Sequence, residues 1–236
     1  MTAKRFLTEG GVIVASILFA FAIDAWWDER RERAEESEIL DSLEIEYKAN
    51  LDLVTRVAEG HVSFRTAIED MMARSDDEVR ALPQRDLSFF VLSMCQPWTF
   101  DGVLGTTDAL IGAGKLDVLS HPPLRSALTT FLNMINDAAE DANFLMEDAQ
   151  SVWLAEVDVG GPWSDPETET GSKDFAVSVP AYIPPPTAED VIRIRQDKTL
   201  MGRVARCHLN TGYYLNELEV LRDRALTVLE QIEASR

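Results

Sequence analysis

The side chains most able to do chemistry are the three histidines, His61, His121 and His208. They stand far apart, with no H-E-x-x-H and no H-x3-H pair, so no single helix face presents two of them to a metal. Cys95 and Cys207 are the only cysteines and share no C-x-x-C spacing, which leaves neither a zinc pair nor a redox motif. They read as two buried free thiols, with one disulfide as the alternative in an oxidising compartment. Gly112-x-Gly114 lacks the third glycine and the preceding strand of a dinucleotide turn, so it reads as a helix break. No G-x-S-x-G elbow frames a serine nucleophile. With 41 acidic residues, carboxylate pairs occur everywhere and spacing singles out none. Glu140, Asp141, Glu147 and Asp148 share one stretch, where a solvated acidic face is expected rather than a cation site. No catalytic, cofactor-binding or metal-binding residue is assigned, and a non-enzymatic protein is expected.

The bulk numbers narrow the classes further. Hydrophobic residues make up 46% and charged residues 27%, a composition that can build a folded core. The net charge of −19 argues against nucleic acid as a partner, because binding a polyanion requires clustered Lys and Arg. It also repels anionic lipid surfaces, so any attachment to a membrane has to come from apolar insertion.

Such an insertion element is present. Gly10 to Ile23 reads GGVIVASILFAFAI, without a charge. As a helix this covers ~21 Å, and the extended stretch Phe6 to Trp27 covers ~33 Å, against a hydrocarbon layer of ~30 Å. Trp26 and Trp27 fall where an aromatic belt belongs, Asp24 lies near the same interface, and the charged run Asp28-Glu29-Arg30-Arg31-Glu32-Arg33 follows at once. The segment reads as a membrane-spanning anchor. Two rivals exist: a cleaved signal peptide, with Ala20-Phe21-Ala22 as its site, and a buried core helix. Lys and Arg are nearly balanced on the two flanks, and the short basic tail (Lys4, Arg5) favours an N-terminus in the cytoplasm.

Beyond the anchor the pattern is helical. Leu40, Leu43, Tyr47, Asn50, Val54, Val57, His61, Phe64, Ile68 and Met71 recur at steps of three and four, the rhythm of a coiled-coil seam. The same rhythm returns in Val204, Cys207, Thr211, Tyr214, Leu218, Leu221, Ala225, Val228 and Ile232. Pairing these two seams antiparallel would put Ile232 near Leu40 and Val204 near Ile68. Asn50 and His61 are polar members of the first seam. A register-setting Asn and a ligand or pH-switching His are the sharp readings, and satisfied polar residues at part-buried positions the plainer ones.

Between the seams, Asp86 to Cys95 reads as a short buried helix or strand, and 101–119 as helix broken near Gly112 and Gly114. Ser120 with Pro122 and Pro123 is a helix start, since proline in the first turn loses no hydrogen bond. That helix runs through Ile135, and a further amphipathic stretch reaches about Val157 with Phe144, Leu145, Trp153 and Leu154 on its apolar side. Residues 158–187 carry too much Gly and Pro for a helix and read as a loop insert, with Phe175 to Val179 as an edge strand. Trp163 and Tyr182 beside its prolines would suit a partner contact, or else pack over the core.

The expected architecture is therefore all-α. Residues 1–27 form a tail and transmembrane anchor, 28–75 a long helix, 76–157 a smaller central helical part, 158–187 the insert, and 188–236 a C-terminal helical segment packed on the long helix.

Two stretches resemble a family of bacterial single-pass membrane proteins classed as a domain of unknown function. One is Gly11-Val12 with Asp24-Ala25-Trp26-Trp27-Asp28-Glu29-Arg30, continuing into Ile39-Leu40 and Leu43. The other is Leu110-Ile111-Gly112-Ala113-Gly114-Lys115-Leu116 with Leu119, Leu124, Arg125 and Leu128. The resemblance covers about a third of the chain and implies membrane anchoring. Where family members usually show Asn-Trp-Asn, this chain has Ala-Trp-Trp, and no activity carries over.

The expected function is a non-catalytic interaction or scaffold protein of the bacterial inner membrane, with its folded part periplasmic or extracellular. Its partners are expected to be membrane lipid and a second protein or another copy of the chain. The short N-terminal tail holds no domain, so signalling would need a partner in the bilayer, contacted through Gly10, Gly11 and Ala15, since close packing in lipid uses small side chains. The alternative is an extracytoplasmic ligand-binding sensor with a pocket lined by Trp98, Phe100 and Trp153.

Overall fold

The computed structural model describes residues 3–163 and 183–236, with side chains from Val14 onward. Every regular element among them is helical. α1 spans Ala3–Ala73, α2 Asp76–Arg80, α3 Gln84–Ser93 and α4 Gly105–Gly112. A 3-10 turn (Leu116–Val118) precedes α5 (Pro122–Asp158), α6 (Ala188–Gln196) and α7 (Lys198–Ala234). The chain divides into two compact units, one of residues 1–48, 103–129 and 227–236, the other of residues 49–102 and 130–226.

The long helix packs against the C-terminal one, and every residue of both sequence seams is buried. Asn50 and His61 are buried with the rest. In the first unit the antiparallel sense is fixed at the chain end, where Arg236 reaches Asp41 and Glu44, each at 2.6 Å. In the second unit the rings of His61 on α1 and Tyr214 on α7 meet edge-on at 5.6 Å, and Arg195 on α6, the helix just before α7, donates to the carbonyl of Arg74 just past the end of α1.

Local signals explain most boundaries. Ser75 and Glu78 cap α2 reciprocally, and Thr187 and Asp190 do the same for α6. Pro122 opens α5, and the N–H of Ser120 just before it donates to Glu36 at 2.6 Å. Gly114 (φ +64°) and Gly160 (φ +104°) adopt left-handed conformations that a side chain would disfavour, and both stand just past helix ends.

Of the helix and strand readings of the stretch from Asp86, the helix is the one found, and it ends at Ser93. Two expectations are corrected. The two stretches expected between Ser120 and Val157 are one helix, because neither Gly nor Pro interrupts Pro122–Asp158. Its apolar face was also misphased. Leu145 is fully buried, whereas Phe144, Trp153 (45% exposed) and Leu154 (65%) face outward. The buried set is Ala138, Ala142, Leu145, Ala149 and Val152, so the smaller residues carry the contact. Phe175 to Val179 lies outside the described residues.

The cysteines are paired rather than free: Cys95, just past α3, is bonded to Cys207 on α7, with Cα atoms 6.0 Å apart. Both half-cystines are buried.

Candidate functional site

From Val14 to Trp27, apart from Asp24, α1 is apolar on every side and uncovered. Val14, Ile17, Leu18 (62% exposed), Phe19 (69%), Phe21 and Ile23 are all exposed, and at 100° per residue they point in all directions around the axis. A helix hydrophobic all round is normally found buried. Ala15 and Asp24 lie exposed on this segment, while Gly10 and Gly11 belong to α1 ahead of the described side chains. Trp26 and Trp27 are exposed and meet edge-on at 5.2 Å, and the guanidinium of Arg30 sits 5.7 Å from the Trp26 ring. One helical turn on, Arg33 pairs with Glu29. The polarity edge read from the sequence is therefore a physical edge on one helix. Among the described residues, no helix is long and apolar enough to cross a membrane. The described side chains begin within the uncharged Gly10–Ile23 run, and Val14–Ile23 alone spans about 15 Å.

Buried polar groups elsewhere hold the fold together. Glu46 on α1 turns its carboxylate to the start of α4. It accepts from the N–H of Thr106 (2.6 Å), the N–H of Thr107 (3.1 Å) and the hydroxyl of Thr107 (2.6 Å). A carboxylate at a helix N-terminus satisfies donors that have no partner within the helix and faces the positive end of its dipole. Tyr47 meets the same threonine hydroxyl at 3.3 Å, and burial pushes its phenol well above the usual range. No sequence signal singled out Glu46, one acid among many on a helix rich in them.

In the second unit His61 donates from Nε2 to the carbonyl of Trp98 at 2.8 Å. Burial holds its imidazole below the usual range, and His208 is likewise held low by burial. His61 is thus a satisfied neutral core histidine. Tyr214 accepts from the N–H of Phe100 at 2.7 Å, and burial pushes its phenol up to about 12. Trp98 lies edge-on to Phe64 at 5.0 Å and so close over Gly60 that a Cβ there would fall 2.5 Å from the indole. Trp98 and Phe100 are thus engaged in the α1–α7 packing, while Trp153 stands outward on α5.

Asp148 departs from the solvated acidic face. It is buried, accepts from Asn210 at 2.7 Å and pairs with Arg206 at 2.5 Å, while Glu140 and Glu147 stay exposed. Arg203 donates to the carbonyl (3.0 Å) and hydroxyl (2.8 Å) of Ser151, so α5 and α7 run antiparallel here. Among the described residues no three His, Cys, Asp or Glu side chains gather as a metal cage. Trp163 folds back over the turn after α5, its ring lying where a Cβ on Gly161 would come within 2.9 Å. Tyr182 lies outside the described residues.

Glu156, near the C-terminal end of α5, is buried, and that burial raises its carboxyl to about 7. An acid whose folded-state value is raised binds its proton more tightly when folded. Its contribution to stability is therefore fully present below its ordinary value of 4.5 and is lost as pH rises through 7. At about 1.4 kcal/mol per pH unit, the loss is of order 3 kcal/mol. Urea denaturation from pH 4.5 to 8 checks this, and Glu156→Gln is expected to flatten the dependence.

An apolar face also remains open on the outer side of α5. Met146, Trp153 and Val157 recur at steps of seven and four, with Leu154 beside them, and all are exposed. Residues at this spacing share one face of a helix.

No family model matches this chain, and no curated protein or solved structure is significantly similar to it.

Proposed function

We propose that this chain is a non-catalytic interaction or scaffold protein, held in a bacterial inner membrane by the first part of α1. The observation that carries this reading is the apolar stretch Val14–Trp27, uncovered on all sides and ended by a Trp pair and a run of charges. Lipid covers such a segment at low cost, whereas water does not. The charge of −19 points the same way, since it disfavours surface adsorption to anionic lipid and leaves insertion as the means of attachment.

The folded part belongs on the extracytoplasmic side in this reading. The Cys95–Cys207 disulfide supports it, because such bonds persist in oxidising compartments and are rare in the bacterial cytosol. Lys4 and Arg5, ahead of the apolar run, then lie on the cytoplasmic side. The resemblance of Gly11–Arg30 and Leu110–Leu128 to a family of single-pass bacterial membrane proteins belongs to the same proposal.

A protein partner or a second copy is proposed to meet the folded part at the open stripe of α5. The exposed apolar side chains Met146, Trp153, Leu154 and Val157 support a partner-binding role. Site-specific photocrosslinking in intact membranes tests this. A photoreactive residue at Trp153 is expected to give a discrete adduct, and one at the charged exposed position Arg222 is not. Equal background from both positions overturns the partner assignment.

A further inference from the structure

We draw no further inference here: the strongest candidate, the outer face of α7 on which Leu209, Tyr213 and Val220 lie exposed at steps of four and seven, is an unpartnered apolar helix face, and nothing in the structure shows what covers it.

Discussion

Replacing Cys95 and Cys207 together by alanine is expected to lower the stability of the folded chain by about 4 kcal/mol. The bond joins residues 112 apart in sequence, so it removes a large share of the unfolded chain's freedom. A closed loop of about 100 residues is worth about 4.7 kcal/mol in the chain-entropy treatment, and removal of native disulfides typically costs 2–5 kcal/mol. Alanine is the right replacement because both positions are buried, and serine would add two hydroxyls in need of partners. The bond ties the segment after α3 to α7 beside the His61–Tyr214 contact, so its loss frees the packing of Trp98 and Phe100 as well. Urea denaturation of the full chain, with and without reductant, measures the effect. A loss below about 1 kcal/mol would show that the bond contributes little and would remove a main support for an oxidising compartment.

The second large effect is expected at Glu46. Its carboxylate accepts three hydrogen bonds at the head of α4, and its removal leaves two backbone N–H groups and a hydroxyl facing a gap. Buried donors without partners cost about 1–3 kcal/mol each, and partial entry of water lowers the total, so Glu46→Ala is expected to cost about 3 kcal/mol. Glu46→Gln retains an acceptor oxygen but brings an NH2 group toward a donor, and is expected to fall between wild type and alanine. Amide hydrogen exchange locates the damage: protection at Thr106 and Thr107 should fall first. Stability within about 0.5 kcal/mol of wild type, with unchanged protection, would contradict the role assigned to this side chain.

These two sites show where sequence reading stops. The seams of α1 and α7 were legible because a three-four repeat is a local property of each helix, and burial follows it residue by residue. The start of α5 at Pro122 was legible for the same reason, since proline and its place in the first turn are local chemistry. The Cys95–Cys207 bond was not, because pairing depends on which helices meet and two distant cysteines carry no such information. Glu46 was hidden among 41 acids, and its partners lie some sixty residues away. The phase of α5 was misread because the large side chains Phe144, Trp153 and Leu154 outweigh the alanines that make the contact. Of the segment at the start of α1, the apolar run and its Trp-rich edge were plain in the sequence, and the structure adds that the described part, from Val14 on, is covered by no protein.

Alkaline carbonate extraction of membranes carrying the full chain tests the central claim most directly. The account predicts that the intact protein stays with the membrane pellet, and that a variant with polar helix-forming residues in place of Val14–Ile23 moves to the supernatant with its helical content retained. Release of the unaltered chain at high pH, or a mature chain whose first residue is Ile23, would contradict it.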